Sequence, residues 1–322
     1  MKILTALLLL PLAAFAFKSD DWLAKREVLS REAERLQVAY TSCVARVIEP
    51  AIDVVLPIER HPDGSVKASV TAKRAQYFLD TGLIWGADVV VSQLATNGVL
   101  EAQVVADGCV IDRATKSGWV EGHAKAFYLG NEVEGDGIYF SFREDFVTIY
   151  ANTSIRAKDG KLDTKAFGKN TKKKGGGASQ GLAIASNRTD YDRRDGVVLF
   201  DGAVHVADSE YSLGADRLYA FIEGTNVLKR IVADGSVTVT NGTRSGSCPR
   251  AAYVKATGCV TMYGDAASPA RLVEDDHRRN AVEGRKISFW LDSEQVEVEG
   301  ATLSIDGGVS GGLDNFMKQA VK

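Results

Sequence analysis

Groups that do chemistry are sparse in this chain. Its four histidines, His61, His123, His205 and His277, sit in unrelated local contexts, and none belongs to an HExxH or other metal-ligand spacing. Gly242 to Ser247 (GTRSGS) resembles a phosphate loop only superficially, because no Lys follows it and no helix opens after it. The paired carboxylates Asp20/Asp21 and Asp275/Asp276 fall at a helix start and in a loop. Asp275, Asp276 and His277 are adjacent, so their side chains diverge instead of converging on an ion. The four cysteines, Cys43, Cys109, Cys248 and Cys259, show no CxxC spacing, which removes the zinc and thioredoxin-type readings. Cys248 and Cys259 could pair in an oxidising compartment. The turn at Gly258 does not set them opposite each other, however, so the preferred reading is small apolar core residues. No catalytic residue, metal or cofactor is expected, and the chain is not read as an enzyme.

Net charge and proline content are also low. A formal net charge of -3 gives no global field to draw in nucleic acid or an anionic membrane. Six prolines against 31 glycines suit a fold with many strand turns. A long apolar run occurs only at the N-terminus, where Lys2 is followed by Ile3 to Leu12 and then Ala14-Phe15-Ala16. That pattern predicts an export signal cleaved after Ala16, with an uncleaved anchor as the alternative. The run is shorter than the ~20 residues of a spanning helix, and no cysteine follows the site to mark a lipoprotein. Composition is otherwise average for a globular protein, and 322 residues suffice for two domains.

What is present is repetition. YDRRDGVVLFDG (Tyr191 to Gly202) and YVKATGCVTMYG (Tyr253 to Gly264) are the same short phrase at an offset of 62 residues. Each copy reads as strand, Gly turn, strand, Gly turn, with Gly196 and Gly258 permitting a positive backbone angle. VVADGCV (Val104 to Val110) returns as IVADGSV (Ile231 to Val237), and GLIWGAD (Gly82 to Asp88) returns loosely as GWVEGHA (Gly118 to Ala124). A Gly followed by an aromatic strand occurs at Gly137 to Phe142, Gly214 to Phe221 and Gly284 to Trp290. The whole chain therefore reads as a duplicated strand-rich block whose units bury their apolar faces by stacking on one another.

One helix is expected, in segment 17–43 and strongest from Ser19 to about Gln37. Ser19 or Asp20 can cap it, and Trp22, Leu29, Ala33 and Leu36 approximate a stripe. It would plug the end of a sheet or act as a membrane-proximal arm. From Val44 the pattern becomes strand and turn. Ile52 to Ile58, bordered by Pro50 and Pro57, is predicted as an edge strand. His61 to Gly64 and Asp80 to Gly82 are predicted turns. Residues 156–179, rich in Lys and Gly, read as a solvated linker, or as a basic strip touching anionic lipid or sugar phosphate. Asp265 to Ala281 reads as an irregular insert, and 307–322 as a frayed tail.

Period-two alternation predicts an apolar interior formed by Val89/Val91, Phe140/Phe142, Val198/Phe200, Val204/Val206, Val237/Val239, Val260/Met262, Ile287/Phe289 and Val296/Val298. Leu218 belongs to the same set. His205, in the opposite phase to Val204 and Val206, is predicted to face solvent. The interior is either a packed core or a groove open to acyl chains. In a groove, each buried CH₂ would gain about 0.8 kcal/mol.

Asp63 to Gly82 (DGSVKASVTAKRAQYFLDTG) resembles the LptC family, in which a D-x-G turn leads into a strand with Ala-x-x-Ala-x-Tyr. The C-terminal half resembles the LptA or OstA-like family through Gly202-Ala203-Val204-His205-Val206 and Ala215-Asp216-Arg217-Leu218. The resemblance implies an all-β fold of tandem curled antiparallel β-jellyroll units, with one N-terminal helix. The units would span 44–155 (LptC-like) and 180–306 (LptA-like). It further implies a periplasmic protein that passes lipopolysaccharide or a similar amphiphile toward the outer membrane, with the chains lying on the interior residues named above. Partners would be other jellyroll transport components joined by edge-strand pairing, or copies of the chain end to end. The rival readings are a polysaccharide-acting enzyme on a parallel β-helix and a structural β-repeat protein with a dry core.

Overall fold

The structure, a computed structural model, describes residues 19–128, 131–156, 182–207, 211–224, 227–241, 244–274, 280–290 and 295–304. The predicted signal segment, the Lys/Gly-rich stretch beyond Arg156, Asp275–Arg279 and the tail lie outside the described residues. A helix, α1 (Ser19–Arg46), precedes seven strands, β1 (Ala51–Arg60), β2 (Val66–Phe78), β3 (Leu83–Leu94), β4 (Leu100–Asp112), β5 (Ser117–Tyr128), β6 (Asn131–Ser141) and β7 (Phe146–Arg156). Then come β8 (Ala183–Ser186), β9 (Arg188–Asp192), β10 (Val197–Ala207), β11 (Tyr211–Glu223), β12 (Val227–Asn241) and β13 (Arg244–Val254). The last strands are β14 (Cys259–Tyr263), β15 (Ala270–Glu274), β16 (Asn280–Gly284), β17 (Lys286–Trp290), β18 (Val296–Glu299) and β19 (Thr302–Ser304).

Every described pairing is antiparallel and all the strands belong to one sheet. A parallel β-helix, the architecture of the rival enzyme reading, is therefore not this fold. Among the described strands β1 pairs with β2 alone, at one end of the sheet, and the His61 and Asp80 turns form as predicted. The predicted insert contains a regular strand. β15 lies within it and pairs with β16, which begins at its end, an alternation hidden among charged residues.

The sheet is creased across the middle of its strands. On β2, β4, β11 and β13 the interior residues flanking the crease are three apart: Ala75/Ala72, Cys109/Ala106, Leu218/Ala215 and Ala251/Cys248. An odd spacing reverses the in–out alternation, so both limbs of a strand turn their apolar side to the same interior. On β5, β10 and β12 the spacing is four, Val120/Ala124, Phe200/Val204 and Ala233/Val237, because each carries a bulge. The crease is where left-handed backbone collects: Asp88 (φ 50°), Asn152 (φ 55°), Gly122 (φ 71°), Gly202 (φ 80°) and Gly235 (φ 78°). On its outer side His123 Nδ1 lies 2.9 Å from Asp136 Oδ1, and Asn152 Nδ2 donates to Asp136 Oδ2 at 2.6 Å.

The limb of each strand that runs to the turns at 79–82, 113–116, 142–145 and 193–196 is limb one; the other is limb two. β9 pairs with limb one of both β7 and β10, and β8 pairs with limb two of both. The two halves of the chain thus meet strand to strand across the Lys/Gly-rich stretch, in one continuous sheet. At the far end β13 divides its pairing between β14 on limb one and β15 on limb two.

The helix differs from expectation in length and in place. Its apolar stripe continues through Tyr40 and Cys43, which carries it to Arg46 in spite of the β-branched Thr41 and Val44. It does not plug an end of the sheet. Trp22, Leu29, Ala33, Leu36 and Cys43 pack on the outer face of limb one, against Trp85, Val110, Trp119, Tyr139, Phe146, Val197 and Leu199. Polar contacts map its path from the junction back to β2. Lys25 pairs with Asp192 (2.6 Å), Arg26 with Asp190 and Asp201 (2.7 and 2.8 Å), Arg35 with Asp112 (2.7 Å) and Arg46 with Asp80 (2.7 Å). Burial works against the Arg26 charge, but Asp190 and Asp201 outweigh it. Burial likewise raises the Asp112 carboxyl, while Arg35 and the Ala114 and Thr115 amides pull it below its ordinary value.

Candidate functional site

Inside the crease lie two apolar clusters. Val89, Val91 and Phe140 are buried in the N-terminal one, with Phe142 packed against it. Phe200, Val204, Val206, Leu218, Val237, Met262 and Ile287 are buried in the C-terminal one, with Val198, Val239, Val260, Phe289, Val296 and Val298 packed against it. All the predicted groove residues therefore face the interior, and none lies beneath the helix. His205 is exposed. The four cysteines are free; Cys43, Cys109 and Cys248 are buried, and burial pushes the Cys109 thiol up to about 12.

The interior is not uniformly filled. A cavity of about 230 Å³ sits at the junction of the halves. Val104, Ile138, Val147, Ile149 and Ile155 wall it from the first half, and Leu182, Ile184, Val198, Phe200, Leu218 and Ile231 from the second. No charged side chain among the described residues lines it. A second cavity, of about 120 Å³, continues into the C-terminal half, lined by Leu213, Val239, Val260, Met262, Phe289 and Val296, and by the charged Arg244. Leu182, Val206 and Ile231 line both, so the two abut. Val89, Val91, Phe140, Phe142, Val204, Val237, Ile287 and Val298 line neither, and pack as core.

Much of the junction wall was not picked out from the sequence. Val147 and Ile149 alternate as visibly as any chosen pair. What brings them to the cavity is β7 pairing with β9 across 157–181, and no local pattern announces that. Tyr128 and Tyr191, at the rim of this cavity, stand hydroxyl to hydroxyl at 3.2 Å, with ring centroids 5.7 Å apart. Burial, then the hydrogen bond to Tyr128, raises the Tyr191 hydroxyl above its ordinary value and keeps it protonated. The site offers apolar surface with neutral polar groups at its edge, which suits a long hydrocarbon chain. No group of three or more possible metal ligands exists among the described residues.

Residues 183–295 match the family model described as LptA/(LptD N-terminal domain) LPS transport protein. No curated protein matches the chain. Among solved structures, one similar chain is LptH from Pseudomonas aeruginosa, titled as the LptA homologous periplasmic component of the conserved lipopolysaccharide transport device. It is 14% identical, with a TM-score of 0.34, and the match covers 40% of this chain and 95% of that one.

Proposed function

We propose, from the match of residues 183–295 to the LptA/LptD N-terminal family model, that this chain is a non-catalytic carrier of lipopolysaccharide or a similar amphiphile in the periplasm. The observation that carries the reading is the uncharged cavity walled by both halves and continued into the segment that matches the family. Acyl chains would occupy it, and the gain of about 0.8 kcal/mol per buried CH₂ needs no polar chemistry. The N-terminal half would extend the same slot as an LptC-like unit. Both ends of the sheet support end-to-end assembly: among the described strands, β1 is hydrogen-bonded to β2 alone, while β18 and β19 pair only with β17 and β16. Open strands of this kind accept a further strand from another jellyroll component or from a second copy.

The test is photocrosslinking. A benzoylphenylalanine at Val206, which lines both cavities, is expected to crosslink to a lipid A analogue. The same group at the neighbouring exposed His205 is expected not to. Equal yields at the two positions, or none at Val206, would refute the lipid slot.

A further inference from the structure

Resting on the reading of the interior as a slot, we propose that its two rims are latched to each other over the N-terminal half and the junction, so that sideways access depends on breaking a row of side-chain contacts. At the crease the two limbs are held by backbone geometry. At the rims, among the described residues, side chains join them. Glu59, at the limb-two end of β1, meets Lys116 in a limb-one turn at 3.5 Å. Lys67, at the limb-two end of β2, approaches Asp145 in a limb-one turn at 3.9 Å. Glu101, at the limb-two end of β4, pairs with Arg193 in the turn before β10 at 3.4 Å. Tyr128, at the limb-two end of β5, meets Tyr191 on limb one of β9 at 3.2 Å. Four contacts, from β1, β2, β4 and β5, therefore run along one seam, each joining residues from opposite limbs and distant parts of the chain.

The row ends at the cavity between the halves, which both tyrosines line. The ionic members are part-exposed, with Glu101 at 23% and Arg193 at 30%, so each link is weak and screened by salt. Such a seam stays shut as a row and opens locally, whereas the sheet on the opposite side cannot part without losing its hydrogen bonds. An acyl chain in this half would then move lengthwise while the latch holds, and escape or enter sideways where it is broken.

The experiment reads access directly. Val147→Cys places a thiol in the cavity wall, and maleimide labelling of its peptide, followed by mass spectrometry, separates it from the native cysteines. Labelling is expected to rise roughly fivefold, the factor for an exposed ion pair at the upper end of its range, when Arg193→Glu sets two acids against each other. It is expected to fall back when Glu101→Arg is added. Unchanged labelling in Arg193→Glu, or a double reversal as fast as the single, would overturn the latch. Acyl-chain binding is measured on the same proteins. If latch-dependent labelling persists while no acyl chain binds, the latch stands and the lipid reading fails.

Discussion

Val-Ala-Asp-Gly occurs at 105–108 and again at 232–235, and each time it sits on the crease, yet the two glycines are needed for different reasons. Gly235 holds a left-handed backbone, φ 78°, that any L side chain would strain. A Cβ at Gly108 would instead stand 2.4 Å from the Tyr40 hydroxyl of the helix, so this glycine allows a close approach. Gly235→Ala and Gly108→Ala should each cost about 1–3 kcal/mol of stability in urea denaturation. Rescue separates them. Tyr40→Phe should restore much of the Gly108→Ala loss. Asp216→Ala, although it removes the carboxylate that a Gly235 Cβ would meet at 2.3 Å, should leave the backbone share of the Gly235→Ala loss in place. Equal rescue at both sites would mean that contact alone governs the crease.

The helix acts as an element through one face. Leu36 is fully buried against limb one and Val38, two residues on, is 72% exposed. Leu36→Ala is expected to lower stability by about 2–5 kcal/mol and Val38→Ala by no more than about 0.5, measured as shifts in the urea midpoint. Comparable losses would mean that the helix is not docked as described. The existence of the helix and of most strands was legible, because period 3.6 and period two leave their marks in residues such as Leu29/Leu36 and Val198/Phe200. The docking face on the sheet was harder to read. Val197 and Leu199, which meet the helix, alternate with Val198 and Phe200, which meet the interior, so VVLF reads as a continuous apolar run with no preferred side. The bulges at Asp201/Val204 and Asp234/Val237 add a residue without breaking the pattern, so the crease was visible only as recurring Asp-Gly. Which charges face each other across the seam depends on how far the sheet curls, and local sequence does not encode that.

At the scale of the molecule, the question is whether two strand-rich halves joined by a Lys/Gly-rich stretch behave as one body. A flexible tether alone would let them unfold separately, the usual expectation for a chain with two domains. Three features oppose this. β8 and β9 are each hydrogen-bonded to both β7 and β10. The helix buries Phe146 of the first half and Val197 and Leu199 of the second under one stripe. Asp190, fully buried in β9, accepts from Arg26 of the helix and from Thr148 of β7 as well as from Arg188 of its own strand, so separating the halves would take the Thr148 contact from a buried carboxylate and leave it leaning on Arg188. Exposing all of this costs more than either half could recover alone. Pulsed hydrogen exchange through a urea transition is therefore expected to give the same midpoint for peptides of β3 and of β13. A lower midpoint for one half, with the other still protected, would show that the junction is only a contact between two independently folding halves.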